Sequence, residues 1–228
     1  ADELSAIQYS CYDAVGALNK IKVENHEPVN PKLGGGLILG EGAGIIVMER
    51  LDFALERDAE IYGILRSGVI TGGIASVGHY EAEGEQMARA MSLAMKEANI
   101  DPDEIDQINV SANFSGELDP MEYNQLKKIF TKHISNLAVT PLKYLTGDFG
   151  GAGVIRAAAI LLSLRHQLPL PTVSAEILRG EPECSLAWDL HPRGKTQVAL
   201  MTTSTFGGGS TSFVFTKSGS SPKSVANA

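Results

Sequence analysis

The sequence is poor in cysteine and in basic residues. Its two cysteines, Cys11 and Cys184, are too few to form a disulfide framework, so we expect reduced thiols and a cytoplasmic location. The 19 Lys and Arg residues are outnumbered by 27 Asp and Glu residues. The formal net charge of -8 argues against nucleic acid as a partner, because the phosphates would repel the chain. No basic and then apolar leader opens the sequence, so secretion is unsupported.

The sequence also has no apolar run long enough to cross a bilayer. The most apolar stretch, residues 153–164, is short and is interrupted by Arg156. A hydrophobic content of 43% and a charged content of 20% are ordinary for a soluble globular protein, and 228 residues suffice for one large domain or two small ones. We therefore expect no membrane span.

Predicted strands and helices alternate along the chain, which then closes on a hairpin. Apolar spacing predicts helices over 2–18, with Asp2 as N-cap, and over 51–58, 85–99, 119–130 and 151–167; strands are predicted over 37–49, 60–71, 108–112, 137–139, 197–204 and 211–216. This order predicts an α/β domain over residues 1–217, with a mixed sheet of about five strands layered with helices. The Ser-rich residues 218–228 should form a disordered tail.

Three glycines at alternate positions, Gly40, Gly42 and Gly44, could suggest a phosphate loop. A phosphate loop requires a helix after the glycines, but here the apolar residues 45–48 follow and predict a strand. The structural interpretation is that small residues let this segment pass close to another backbone.

Three further segments carry candidate site residues. The predicted strand at 108–112 runs into Asn113 within Val-Ser-Ala-Asn-Phe-Ser; Lys143 begins Lys-Tyr-Leu-Thr-Gly-Asp; and the hairpin contains Thr-Phe-Gly-Gly-Gly-Ser at 205–210. Taken singly, each has an ordinary interpretation. Asn113 could end a strand, Lys143 could be a surface lysine, and the third segment could be a glycine turn with a packed aromatic ring.

Taken together, these segments resemble β-ketoacyl synthases of the 3-oxoacyl synthase II type. Gly-Glu-Gly-Ala-Gly before an apolar strand, Lys-x-x-Thr-Gly-His and a Gly-Phe-Gly-Gly loop are all typical of that family. The resemblance covers residues 1–216 and corresponds to the C-terminal half of a fold that pairs two thiolase-like halves. It places Asn113 and Asp148 at the two catalytic histidine positions, beside Lys143, and it makes Phe206, Gly207 and Gly208 part of the acyl-binding loop.

The same resemblance implies that the nucleophilic cysteine belongs to the other half. Cys11 lies within a predicted helix without the strand-turn-helix setting of a nucleophile elbow, Cys184 lies in a polar loop, and His79, His133 and His166 fall outside the matched motifs. Asn113 could still donate a hydrogen bond to an oxyanion, whereas an ionised Asp148 can only accept one and would repel an enolate. Loss of one oxyanion donor costs about 100- to 1000-fold in rate.

Three functional hypotheses follow. The chain resembles the non-catalytic chain-length factors that pair with an active ketosynthase, as its histidine positions are degenerate. Alternatively, it is a fragment of an active 3-oxoacyl synthase whose nucleophile lies upstream, or a scaffold or carrier-protein docking module without an acyl pocket. The resemblance implies an acyl carrier protein and an N-terminal ketosynthase half or active ketosynthase subunit as partners, a dimer, and no cofactor or metal.

Two structural expectations complete the prediction. Asn113, Lys143 and Asp148 should converge near Phe206, because loops after strands form the sites of α/β folds. Half of a two-half fold should also leave a large apolar surface, exposed or covered by a partner.

Overall fold

A mixed sheet of five strands organises the chain, as the computed structural model of residues 2–21, 34–168, 170 and 195–219 shows. The strand order is β1-β5-β4-β2-β3. The strands are β1 Ile64–Thr71, β2 Gln107–Asn109, β3 Ala138–Thr140, β4 Val198–Ser204 and β5 Ser210–Thr216. β2 runs parallel to both β3 and β4, while β5 is antiparallel to β1 and β4. The predicted mixed sheet and its closing hairpin are therefore confirmed.

Helices cover both faces of this sheet. They are α1 Ala6–Ala14, α2 Leu51–Glu56, α3 Glu85–Ala98, α4 Leu118–Phe130, α5 Lys143–Thr146 and α6 Ala152–His166. α3 packs on β1, β4 and β5 and against α4, whereas α6 packs on β4 and β5. In β4, Leu200 belongs to the core under α3 and α4, and its neighbours Ala199 and Met201 belong to the core under α6. Because successive strand residues point to opposite faces, the two helix groups lie on opposite sides of the sheet.

The predicted apolar stripe of α3 is confirmed. Met87, Ala90, Met91, Ala94 and Met95 are all buried. α1 behaves differently, since none of its residues is buried and Ile7 is 79% exposed. Its N-cap is Ser5, whose hydroxyl accepts a hydrogen bond from the Gln8 amide, so the predicted Asp2 cap is wrong.

Asp2 instead ties the chain's beginning to two distant segments. Its backbone exchanges hydrogen bonds with Gly42, with N–O distances of 2.9 and 3.0 Å. Its carboxylate accepts a hydrogen bond from the Gly150 amide at 2.8 Å, which lowers the Asp2 pKa. Asp2, which the sequence predicts as an N-cap, thus makes long-range contacts that local residue spacing cannot reveal.

The strand predicted for residues 37–49 is also wrong. Within the described residues, this segment forms only isolated bridges, from Leu37 to Leu18, from Leu39 to Asp148 and from Gly42 to Asp2. Apolar alternation is nevertheless present: Ile46 packs against the core under α6, while Ile45 and Val47 are 92% and 87% exposed. Extended apolar residues make a sheet only where a neighbouring strand supplies hydrogen bonds.

Two further predictions concern residues outside the described part of the chain. They are the position of Cys184 in a polar loop and the disordered tail beyond residue 219. Among the helices of the described part, none combines the length and apolar character needed to cross a membrane.

Candidate functional site

The structure brings three of the predicted site residues together. The Lys143 ammonium lies 3.0 Å from Asp148 Oδ1 and 3.1 Å from Oδ2. The Asn113 side-chain amide donates to Asp148 Oδ2 at 2.6 Å. Lys143 and Asn113 are buried, and the Asp148 side chain is 18% exposed. The convergence expected from the sequence is therefore observed, while the functional roles of these residues stay predictions.

Asn113 is placed by the loop that leaves the carboxyl end of β2. Two carboxylates of α4 bind the backbone of this loop. Glu122 accepts hydrogen bonds from the amides of Ser111 and Ala112 at 2.9 and 2.8 Å, and Asp119 accepts one from the Asn113 amide at 3.0 Å. Buried carboxylates rarely lack such partners, and here the partners are the otherwise unpaired amides of a loop. α4 therefore fixes the loop geometry without contributing a group to the Lys143–Asp148 pair.

Asp148 is placed by the glycine-rich segment before residue 45. The Asp148 amide donates to Ile38 O at 2.8 Å, and its carbonyl accepts from the Gly40 amide at 3.1 Å. A side chain on Gly40 would overlap the backbone of Thr146. The structural interpretation of these glycines is thus confirmed at Gly40, where two backbones approach closely.

Burial lowers the pKa of Lys143, and the adjacent Asp148 carboxylate opposes that shift. A buried ammonium without an anion would tend to lose its proton. The Asp148 carboxylate therefore favours the protonated form of Lys143 inside the fold. Arg156 is a second buried cation nearby, and its charge also lowers the Lys143 pKa.

Arg156 fills the gap where β2 and β4 diverge. Its Nη2 donates to the carbonyls of Asn109 at 3.0 Å, Val110 at 2.9 Å and Thr202 at 2.6 Å, and its Nε donates to Asn109 Oδ1 at 2.5 Å. The side chain is fully buried, which lowers the Arg156 pKa to about 10. On the other face of the sheet, Glu122 accepts a hydrogen bond from the Thr202 hydroxyl. Arg156 and Glu122 together hold the strand ends that carry Asn113.

Phe206 joins this site through Tyr80. The Asn113 side-chain amide donates to the Tyr80 hydroxyl at 2.8 Å, and the Tyr80 ring lies 4.8 Å from the Phe206 ring, centroid to centroid. Tyr12 of α1 approaches Phe206 from another side, with a centroid distance of 6.2 Å. Gly207 and Gly208 form the turn after Phe206, with φ of +87° and +91°.

Phe114 occupies a backbone conformation that normally favours glycine. Its φ is +73°, in the left-handed region that is uncommon for bulky residues. Its ring stacks on Tyr144 at 3.8 Å with an angle of 11°, and the Tyr144 hydroxyl donates to Asp119. Phe114 thus contributes to core packing. It directly follows Asn113, which the resemblance places at a catalytic histidine position.

The remaining candidates lie away from this cluster. Cys11 is on α1 and exposed. His79 pairs with Glu117 at the surface, His133 contacts the Ile105 carbonyl, and His166 ends α6. Sequence reasoning did not identify Tyr80, Glu122 or Arg156 as part of the site. For Arg156 a signal existed, because a charged residue interrupts the most apolar stretch of the chain.

The fold and the match to a family model define a class of protein. The family model described as "Beta-ketoacyl synthase, C-terminal domain" matches residues 62–176, and the chain belongs to this family. The structure has a thiolase-like α/β architecture similar to that of solved ketosynthases.

Similar curated proteins come from bacteria. The chain is 30% identical over 193 residues to a "Putative polyketide beta-ketoacyl synthase 1" of Streptomyces cyaneus, covering 83% of this chain and 45% of that protein. It is 29% identical over 224 residues to "3-oxoacyl-[acyl-carrier-protein] synthase 2" of Synechocystis sp., covering 93% and 53%. The chain therefore spans about half the length of these relatives.

Two solved structures show the same fold. One is a type II polyketide synthase acyl-carrier protein in complex with its ketosynthase bound to the hexaketide (TM-score 0.82, 24% identity, 94% of this chain and 54% of that one). The other is the ishigamide ketosynthase/chain length factor (TM-score 0.77, 22% identity, 96% of this chain and 53% of that one). At these identities the likeness shows the fold alone.

Proposed function

We propose that this chain is a non-catalytic ketosynthase C-terminal domain of fatty-acid or polyketide synthesis, similar in role to a chain-length factor. The observation that carries the proposal is the Lys143–Asp148–Asn113 cluster. Its groups bind one another: Asp148 accepts from both Lys143 and Asn113. An ionised carboxylate at this place repels an enolate and offers it no hydrogen-bond donor.

A nucleophile must then come from elsewhere. Covalent catalysis by a ketosynthase requires an activated cysteine, and exposed Cys11 has no basic partner among the contacts of the described residues. We propose that an N-terminal ketosynthase half or an active ketosynthase subunit supplies the nucleophile, in a dimer in the cytoplasm, and that an acyl carrier protein delivers the acyl chain. A solved neighbour that contains a carrier protein with its ketosynthase supports the last element.

The second candidate is a fragment of an active 3-oxoacyl synthase. The relatives named 3-oxoacyl-[acyl-carrier-protein] synthase 2 support it, including one from Staphylococcus aureus strain COL at 33% identity over 187 residues. In that case the cluster operates with altered groups once the missing half is present.

A condensation assay tests whether this chain alone has catalytic activity. The chain is incubated with a labelled acyl carrier donor and a malonyl carrier extender, and products and covalent adducts are measured by mass spectrometry. We expect neither product nor adduct, also for Asn113→His/Asp148→His, because no nucleophile is supplied. Labelled Cys11 or Cys184 together with an extended product would overturn the non-catalytic proposal.

A further inference from the structure

Tyr80 is held in front of Asn113 by a loop that connects β1 to α3. This loop comprises residues 72–84 and contains Tyr80, which is only 8% exposed although the neighbouring Ile74 and Val77 are 96% and 83% exposed. The Tyr80 hydroxyl accepts the hydrogen bond from Asn113 described above, and its ring packs on Phe206. Tyr80 is therefore an aromatic side chain that points inwards from a loop whose other residues are mostly exposed or half-buried.

The backbone of loop 72–84 is fastened to the turn that follows Phe206. The Gly73 amide donates to Gly208 O at 3.0 Å, the Ala75 amide donates to Gly207 O at 3.2 Å, and the Gly207 amide donates to the His79 carbonyl at 3.1 Å. Three hydrogen bonds thus fix Tyr80 relative to Phe206. Both rings are held in place by backbone, so their position does not depend on side-chain packing alone.

The hydrogen bonds of Asn113 leave its amide with no free donor. Its Oδ1 accepts from the Ser115 amide at 3.1 Å, which fixes the orientation of the side chain. The Nδ2 group then donates one hydrogen to Tyr80 and the other to Asp148. Since an amide nitrogen carries only two hydrogens, a ligand can reach Asn113 only if it replaces one of these acceptors.

We propose that Tyr80 is an internal plug that occupies the binding position of a thioester carbonyl at Asn113. A phenol oxygen accepts a hydrogen bond from an amide as a carbonyl oxygen does, so the hydroxyl of Tyr80 imitates the ligand that it excludes. Asp148 is the less replaceable acceptor because it also balances Lys143. This inference rests on the proposed function of the site. It adds that Tyr80 blocks the site, so that an acyl thioester binds at Asn113 only after Tyr80 is removed.

The test measures binding of a small thioester, S-acetyl-N-acetylcysteamine, to the chain alone by ligand-observed NMR and by shifts of the Asn113 side-chain amide signals. Tyr80→Ala should bind it at least about tenfold more tightly than the wild type, since the vacated space exposes a free donor. Tyr80→Phe should gain no binding, because its ring still fills the position. Tyr80→Ala/Asn113→Ala should lose what Tyr80→Ala gains.

Tyr12→Ala is the matched control. Tyr12 also contacts Phe206 but makes no hydrogen bond to Asn113, so this change opens space beside the same ring and should gain no binding. If Tyr80→Ala is unfolded by circular dichroism, Tyr80→Leu serves in its place with the same readout. A folded variant that binds no better than the wild type, or equally well without Asn113, overturns the proposal. Binding is read without any partner, so a failure here is distinct from unexpected condensation activity.

Discussion

A buried lysine needs an anion beside it, and in this chain Asp148 is that anion. Lys143 is 5% exposed, and the Asp148 carboxylate is the acceptor that its ammonium contacts at 3.0 Å. An imidazole at position 148 would contribute no negative charge. Asp148 therefore stabilises the charged form of Lys143, in addition to its effect on the chemistry of the site.

Asp148→Asn should destabilise the fold by about 3 kcal/mol at pH 6, because it leaves a buried ammonium unpaired. The loss should be smaller at pH 9. Without its anion, the folded-state pKa of Lys143 falls further below that of the unfolded lysine, so between those two pKa values the unfolded chain binds the extra proton and stability rises with pH. Urea unfolding at the two pH values measures this difference.

The matched control for that experiment is Lys143→Met/Asp148→Asn. With no lysine to titrate, the extra rise in stability between pH 6 and pH 9 that Asp148→Asn shows should disappear. An Asp148→Asn variant whose stability falls equally at both pH values would show that Lys143 is not the group responsible.

Arg156 should be the most sensitive cation of α6. Arg156→Met removes the donor to three strand-end carbonyls and one of the two buried cations that act on Glu122, so we expect a loss of about 3 kcal/mol in urea unfolding. Amide hydrogen exchange should accelerate at residues 110–113, the segment that begins at the Val110 carbonyl bound by the guanidinium. A variant with unchanged exchange there would contradict the positioning role.

Arg165→Met is the control on the same helix. Arg165 pairs with Glu60 at 2.9 Å, and both side chains are about half exposed. An exposed pair of this kind contributes less than about 1 kcal/mol. The comparison separates the loss of a buried guanidinium from the loss of an arginine in α6.

At the scale of elements, apolar periodicity predicts which side chains of a segment are buried. It does not predict which other segment pairs with it. α3 is predicted closely because its stripe faces a sheet that the chain itself contains. Residues 37–49 have the alternation of a strand, yet within the described part of the chain they lack a ladder partner. The motif positions predicted the meeting of Asn113, Lys143 and Asp148. Tyr80 was missed because loop 72–84 has no periodicity that marks one inward side chain.

The turn after Phe206 offers a paired test of the hydrogen-bonded contact between this turn and loop 72–84. Gly207 and Gly208 both have positive φ, but a Cβ on Gly207 would meet no atom within 4 Å, whereas one on Gly208 would lie 2.9 Å from the backbone of Gly73 and Ile74. Gly207→Ala should cost about 1 kcal/mol from backbone strain alone. Gly208→Ala should cost roughly 1–3 kcal/mol more, from the clash. Equal losses in thermal unfolding would show that loop 72–84 yields at this contact.

At the scale of the whole molecule, six exposed apolar side chains lie within one short segment, residues 45–55. Ile45, Val47 and Met48 are 92%, 87% and 72% exposed, and Leu51, Phe53 and Leu55 follow them. We call residues 45–55 the apolar strip. The chain spans about half the length of its curated relatives, so a surface of this kind fits our proposal that a ketosynthase half or subunit covers it. The exposure of these six side chains agrees with the expected large apolar surface, whose extent stays a prediction and whose occupant stays a proposal.

Ile45→Ser/Val47→Ser should therefore reduce association without reducing stability. Both side chains already contact water, so urea unfolding of the chain alone should change by less than about 0.5 kcal/mol. Light scattering at rising concentration should show self-association of the wild type through the apolar strip and markedly less of it for the variant, because apolar area lost from an interface weakens binding. Ile74→Ser/Val77→Ser removes equally exposed side chains from loop 72–84 and should leave association unchanged. If both double variants reduce association alike, the effect is one of general surface hydrophobicity, and the apolar strip is not a specific contact surface.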